Sequence, residues 1–145
     1  MDATAADIRR RAMDLLARRE HSVKELVDKL GHRCGDTDMV LAEVERLRQE
    51  GLQSDARLAE ALIRSRVGRG QGPVKMRAEL RSKGVAPESI RCALEESGID
   101  WIALAASVAS KRFGDTPAED AKEKARRARF LQQRGFSFDH IASLL

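Results

Sequence analysis

Hydrophobic residues recur along this chain at the three- and four-residue spacing that places them on one face of a helix. The first instance is Ile8, Ala12, Leu15 and Leu16, and the same spacing returns from one end of the chain to the other. No run of strand length alternates apolar and polar residues, which is the pattern of a half-buried strand. The sequence therefore predicts an all-α protein.

Capping residues divide the first fifty residues into three predicted helices. Ser22, followed three residues later by Glu25, forms a capping box ahead of the second helix, and Asp36 or Thr37 can cap the third. Residues 31–35, between these two helices, are predicted to form a polar loop. The apolar faces are expected to contain Ile8, Ala12, Leu15 and Leu16; then Leu26, Val27 and Leu30; then Val40, Val44 and Leu47, with Leu41 beside them.

The middle fifty residues follow the same plan. Ser54 or Asp55 is expected to cap a helix that ends near the glycine-rich stretch 68–72, since glycine is unfavourable within a helix. Pro73 and Pro87 each suit the first turn of a further helix, because a first-turn residue needs no N–H donor. The expected inward residues are Leu58, Leu62 and Ile63; then Met76 and Leu80; then Ile90 and Leu94.

The last third also divides into three predicted helices. Asp100 is expected to cap one that runs to Phe113. Thr116 and Pro117 are expected to start a long helix, and Ser137 to cap the last one. The expected inward residues are Trp101, Leu104, Ala105 and Val108; then Ala121, Ala125, Ala128 and Leu131; then Ile141 with Leu144 or Leu145.

Two stretches 51 residues apart carry one pattern. Residues 80–90 and 131–141 both fit L-x-x-[KR]-G-[VF]-x-x-[ED]-x-I. In this pattern a cation and a glycine end one helix, and an acidic residue lies in the first turn of the next. The pattern therefore predicts a repeated pair of helices joined by a tight glycine turn, with Ile90 and Ile141 as equivalent core positions.

This repetition predicts an elongated array of three tandem three-helix repeats, similar to helix-turn-helix units, near residues 5–51, 54–98 and 100–145. One repeat is too small for a core of its own, so neighbouring repeats are expected to stack into a single domain over residues 1–145. The first repeat matches the pattern poorly, because Leu30 and Gly31 are followed by a longer polar segment. Such a departure is expected of a terminal repeat.

The composition narrows the class of protein. Only 3% of the residues are aromatic and 34% are charged, which favours aliphatic helix packing with solvated outer faces. No stretch has the length of a membrane-spanning helix and the N-terminus does not resemble a signal peptide, so a cytoplasmic protein is expected. The oligomeric state stays open, with a monomer as the default. Cys34 and Cys92 are expected to be free thiols in a reducing compartment.

Neither a metal site nor a catalytic site is expected. His32 and Cys34 have metal-ligand character, but no second pair at a suitable spacing accompanies them. The other histidines, His21 and His140, stand in no triad context, so the sequence predicts a protein that is not an enzyme and needs no cofactor.

The net charge of +4 is unevenly distributed. Residues 61–91 carry 8 basic and 2 acidic side chains, and residues 120–145 carry 6 and 3, whereas the segments 1–60 and 92–119 are net acidic. Two basic blocks at corresponding repeat positions indicate a polyanion or an acidic protein surface as the partner. The alternative is that both blocks are solvated faces.

Two sets of basic residues are the candidate binding residues, and they are expected to form one surface. The first surrounds the glycine-rich stretch, whose backbone permits close approach of a partner, and the second follows a helical stripe. They are Arg64, Arg66, Arg69, Lys75, Arg77, Arg81 and Lys83, and then Lys122, Arg126 and Arg129 with Lys124 and Arg127 beside them.

Four segments in this order resemble the RecX family, regulators of the bacterial RecA recombinase. The segments are 15–26, 55–59 and 72–85, followed by 124–125 with 131–136, so the resemblance runs nearly end to end. It implies tandem three-helix repeats and a protein without catalytic activity that binds along the groove of the RecA filament on DNA. It further implies inhibition of RecA ATPase, strand exchange and coprotease activity, and a place in recombination, DNA repair and the SOS response. The polar segment 31–38 departs from the family pattern.

Two other functions stay open. One is direct nucleic-acid binding through a helix-turn-helix unit such as residues 22–48, although that segment is nearly neutral and the chain has few aromatic residues for stacking on bases. The other is a scaffold for an unrelated acidic protein. Weak direct binding to DNA is compatible with the RecA-regulator hypothesis as well.

Overall fold

The fold is made of helices, turns and loops, in a computed structural model that describes residues 3–145. No strand occurs in this range, so the prediction of an all-α protein is confirmed. Nine helices lie in the described residues: α1 Ala5–Arg18, α2 Val23–Cys34, α3 Thr37–Gln49, α4 Asp55–Gly68, α5 Pro73–Ser82, α6 Pro87–Glu96, α7 Trp101–Phe113, α8 Ala121–Gln133 and α9 Phe138–Leu144.

The predicted caps begin most of these helices. The capping box of α2 is complete, since Ser22 Oγ accepts from the Glu25 N–H at 3.0 Å and Glu25 Oε1 accepts from the Ser22 N–H at 3.1 Å. Two caps were predicted as alternatives for α3 and two for α4. Asp36 rather than Thr37 caps α3, and Ser54 rather than Asp55 supplies the side-chain oxygen at the start of α4. Local side-chain acceptors for the first amides thus determine where these helices begin.

The predicted loop at residues 31–35 is wrong, because α2 continues through Gly31 to Cys34. Leu30 and Cys34 lie one helical turn apart, and both are buried against α1 and α3. Burial of this second apolar turn outweighs the unfavourable helix propensity of Gly31, which is about 1 kcal/mol. The helix ends instead at Gly35, whose φ of 76° is left-handed.

The predicted start of the penultimate helix at Pro117 is also wrong. Asp120 is the N-cap of α8, and its carboxylate accepts from the Glu123 N–H at 2.8 Å. The preceding segment is held outside the helix, since Arg127 Nη1 donates to the Thr116 carbonyl at 2.9 Å.

The alanine face predicted for this helix is only partly correct. Ala121 and Ala125 are exposed, Ala128 is half-buried and Leu131 is buried. Ala121 and Ala125 are exposed in the first two turns of α8, so small residues there do not indicate a close helix contact.

The described chain divides into two compact units. The first unit comprises the residues up to Ala61 together with Leu80–Ile90, and the second comprises Leu62–Glu79 together with Arg91–Leu145. The core of the first contains Ile8, Ala12, Leu26, Leu30, Cys34, Val40, Val44 and Leu47. The core of the second contains Ala105, Val108, Leu131, Phe136 and Ile141.

The expected inward residues of the middle helices are buried as well. Leu58, Leu62, Ile63, Met76, Leu80 and Leu94 are all buried, and so are Ile90 and Ile141, the two equivalent positions of the pattern. Leu41, which was expected beside the apolar face of α3, has 46% of its surface exposed.

A glycine turn packs against the start of a helix in the first unit. The turn is formed by Lys83 and Gly84 after α5, and Ser22 Oγ at the start of α2 donates to the Lys83 carbonyl at 2.5 Å. Gly84 has a φ of +84°, and a Cβ built on it would lie 2.6 Å from the Cβ of Lys24. Only glycine suits this turn, because both the backbone conformation and the packing exclude a side chain.

The same contact recurs 51 residues later in the second unit. The turn formed by Arg134 and Gly135 packs against the start of α5, where the Gly72 N–H donates to the Arg134 carbonyl at 2.8 Å and the Val74 N–H donates to the Gly135 carbonyl at 2.9 Å. Gly135 has a φ of +96°, and a Cβ there would overlap the side chain of Lys75. The sequence pattern therefore corresponds to a repeated packing contact.

Glu25 is the charged centre of the contact in the first unit. Its carboxylate lies 2.6 Å from Arg19 Nη2 and 3.3 Å from Lys83 Nζ. Burial alone raises the pKa of this carboxyl, but hydrogen bonds from Arg19 and the Ser22 amide, with the positive charges of Arg19 and Lys83, lower the pKa to about 2. The ionised form of Glu25 thus stabilises the folded state.

Replacing Gly135 by alanine tests the packing of the turn. Gly98→Ala is the matched control, because Gly98 has a φ of +66° and open space around its Cβ position. We expect the control to lose about 1 kcal/mol of unfolding free energy from backbone strain alone. Gly135→Ala should lose a further ~1–3 kcal/mol from overlap with Lys75. Denaturant unfolding measures both values, and equal losses would contradict the packing role of the turn.

The lowered pKa of Glu25 predicts acid-sensitive stability. The folded pKa of about 2 lies below the model value of 4.5, so between these pH values the unfolded chain binds more protons and the folded state loses stability as the pH falls. Urea unfolding at about pH 5.5 and pH 3 should therefore show a smaller decrease for Glu25→Gln than for the wild type. The control Glu60→Gln, at an exposed residue without an ion pair, should behave as the wild type does. Parallel decreases in all three proteins would contradict the role of Glu25.

Candidate anion-binding surface

Four basic residues of the first predicted set are exposed and have no side-chain partner among the described residues. They are Arg64 in α4, Arg69 just after it, and Arg77 and Arg81 one turn apart on α5. An exposed cation without a carboxylate nearby contributes little to folding, so its guanidinium donors are available to a partner.

The other three residues of that set already have partners in the fold. Arg66 Nε donates to Glu79 Oε1 at 2.9 Å, and this hydrogen bond raises the pKa of the guanidinium. Lys75 Nζ donates to the Gln133 carbonyl at 3.3 Å, and Lys83 pairs with Glu25. These side chains therefore hold helices and turns in place, which makes them poorer candidates for binding an external anion.

The predicted stripe on α8 is also divided. Lys122, Lys124 and Arg129 are exposed and have no side-chain partner in the described part of the chain. Arg126 and Arg127 both bond to Glu123, whose pKa is lowered to about 2 by the hydrogen bonds from Arg126 and then Arg127.

Arg127 is the least available residue of the stripe, because only 13% of its side chain is exposed and it also bonds to Thr116. A depression of about 420 Å³ beside the stripe has four basic and three acidic residues in its lining: Lys122, Arg126, Arg127 and Arg129, with Glu119, Asp120 and Glu123. The net charge of this depression is therefore about +1, so it attracts an anion only weakly.

Arginines stack on a pair of phenylalanines that the sequence did not identify as part of a site. The rings of Phe113 and Phe130 pack edge to face with centroids 5.3 Å apart. Arg126 and Arg127 lie 4.9 and 5.2 Å from the Phe113 centroid, and Arg112 and Arg134 lie 5.5 and 5.1 Å from the Phe130 centroid. Such contacts fix the positions of guanidinium groups.

Lys111, Arg112 and Arg134 are thus basic residues that sequence reasoning left out of the candidate site. The segment that holds Lys111 and Arg112 is net acidic, and the repeat pattern assigns Arg134 only to ending a helix. The available signal was the pair Lys111 and Arg112 directly before Phe113, because two adjacent cations contribute to a basic patch and an aromatic ring can hold a guanidinium in position.

Other kinds of site find no support in the described residues. Over residues 3–145 no helix has the length and hydropathy to cross a bilayer, and no three His, Cys, Asp or Glu side chains are grouped as metal ligands. Cys34 and Cys92 form no disulfide, as expected.

The sequence matches two models of one protein family. The model described as the second three-helix domain of RecX matches residues 54–94, and the model of the third three-helix domain of RecX matches residues 99–145.

Relatives named regulatory protein RecX match over almost the whole chain. The protein from Halorhodospira halophila is 45% identical over 139 residues, which are 96% of this chain and 86% of the relative. The protein from Chromohalobacter salexigens is 46% identical over 141 residues, 97% of this chain and 92% of the relative.

Solved structures show the same fold. The crystal structure of RecX from Lactobacillus salivarius superposes with a TM-score of 0.83 at 20% identity, covering 97% of this chain and 93% of the other. A second crystal structure of regulatory protein RecX superposes with a TM-score of 0.76 at 23% identity, covering 97% of this chain and 72% of the other. These similarities support the helical repeat fold predicted from the sequence.

Proposed function

We propose that this chain, which belongs to the RecX family of regulatory proteins, regulates a RecA recombinase. It binds the filament that the recombinase forms on DNA and restrains it. The expected consequences are reduced ATP hydrolysis, strand exchange and coprotease activity, and hence control of recombination and DNA repair. The protein acts by binding, one molecule per site, and not by turnover.

The observation that carries this proposal is the extent of the family similarity. Identity above 40% extends over 96% or more of the chain. Such similarity includes the helices that hold the unpartnered cations as well as the buried cores. A function shared by the family is therefore the best-supported function of this chain.

The charge of the surface supports the proposal. A filament of protein on DNA exposes phosphates and carboxylates, and both are bound by exposed arginine and lysine side chains. Arg77 and Arg81 on α5, with Lys122 and Arg129 on α8, are exposed and unpartnered in the described structure. We assign the filament contact to these two stripes, with Arg64, Arg69 and Lys124 as further contacts.

Charge-reversal variants test the assignment. The double variants Arg77→Glu with Arg81→Glu, and Lys122→Glu with Arg129→Glu, should each raise the concentration needed for half-inhibition of RecA ATPase by about tenfold or more. The control is the double variant Arg18→Glu with Arg33→Glu, which changes the net charge by the same amount as each test variant. Both residues are exposed cations without side-chain partners on other helices. Melting temperatures should stay close to that of the wild type, because exposed cations add little stability.

The ATPase assay separates two ways in which the proposal fails. If the wild type leaves DNA-dependent RecA ATPase unchanged while in excess over filament sites, the function is wrong. If the wild type inhibits RecA ATPase and both double variants inhibit it as well as the wild type does, the two stripes are solvated faces. Recognition then lies elsewhere on the molecule.

A further inference from the structure

A cleft of about 300 Å³ in the second unit is lined by four basic side chains and by no acidic one. It lies where three helices end: Arg69 follows α4, Lys111 and Arg112 lie in the last turn of α7, and Arg134 caps α8. The rest of the lining is Gly68, Gly70, Val108 and Phe130. The depression beside Glu123, by contrast, contains three carboxylates.

The four cations of the cleft have almost no polar partners in the described residues. None of them forms an ion pair, and only Arg134 donates a hydrogen bond, from Nη1 to the Arg69 carbonyl at 3.1 Å. The side chains of Arg69 and Lys111 make no polar contact. Nearly all the donors in the cleft are therefore available to a ligand.

The ends of the three helices do not neutralise this charge. A helix C-terminus carries a partial charge of about −0.5, so three of them contribute about −1.5. Four full positive charges exceed this by about 2.5 charge units. The cations thus do more than compensate the helix dipoles, and the excess corresponds to about two to three singly charged anions.

Phe130 holds two of the guanidinium groups in place. Arg112 and Arg134 lie over its ring at 5.5 and 5.1 Å from the centroid. Apart from the bond of Arg134 Nη1 to the Arg69 carbonyl, the N–H groups of these two guanidiniums make no hydrogen bond in the described structure and can donate to an anion. The site is therefore partly ordered before a ligand arrives, which lowers the entropic cost of binding.

We propose that this cleft binds consecutive phosphates of a nucleic-acid backbone. Each phosphodiester carries one negative charge, so about two or three neighbouring phosphates match the excess positive charge. An acidic protein is the less suitable ligand, because the centre of a protein interface is enriched in apolar and aromatic contacts. The cleft offers none, since Val108 is buried and Phe130 is covered by two arginines.

This inference deepens the proposed function and rests on it for its biological role, because it assigns the DNA contact of a filament-binding protein to particular residues. The binding itself is measurable without any recombinase. Failure of the cleft and failure of filament regulation therefore give different results.

Binding of a fluorescein-labelled oligo-dT strand tests the cleft. The variant Arg69→Gln with Lys111→Gln removes two exposed charges without removing a side-chain contact of the fold, and Arg18→Gln with Arg33→Gln removes two elsewhere. We expect the cleft variant to bind about tenfold or more weakly at low salt, and the slope of log K against log salt to fall by about 1.4. The control should stay within about twofold of the wild type.

Three outcomes would overturn the proposed phosphate site. The wild type does not bind the strand, the cleft variant and the control lose the same affinity for it, or the cleft variant binds it as tightly as the wild type does. If the cleft variant binds the strand normally but no longer inhibits RecA ATPase, the ligand is an acidic protein surface instead. If it loses strand binding while the wild type has no effect on RecA ATPase, the cleft stands and the filament function falls.

Discussion

The structure depends on the packing of a cation–glycine turn against the first turn of another helix. Gly84 meets Lys24 in the first unit and Gly135 meets Lys75 in the second, with both pairs offset by the same 51 residues. Each turn needs a left-handed residue without a Cβ, so a single residue type satisfies both the backbone and the packing. The sequence repeat therefore corresponds to a repeated three-dimensional contact.

Positive charge collects at the C-terminal ends of several helices. These helices carry cations in or near their last turn, which the negative end of the helix favours. Some of these cations are used by the fold, as Lys83 is by Glu25 and Arg66 is by Glu79. Others, such as Arg69 and Lys111, have no partner in the described residues, and these form the proposed binding surface.

The sequence predicted what depends on local chemistry and missed what depends on tertiary contacts. The caps at Ser22 and Asp100 were predicted correctly, because an N-cap bonds within three residues of itself. Gly31 lies in a helix against its propensity because neighbouring helices bury the turn around it. The cleft escaped prediction because the charges of Lys111 and Arg134 meet only where two helices of the second unit end.

The proposed partner is a filament of RecA on DNA. The most direct measurement is the affinity of this protein, at one salt concentration, for a labelled DNA strand with and without a RecA filament assembled on it under conditions that prevent ATP hydrolysis. We expect markedly tighter binding to the filament than to bare DNA, because the filament adds protein contacts to the phosphate contacts. Equal affinity for the two would contradict the proposed function and would favour a protein that binds nucleic acid directly.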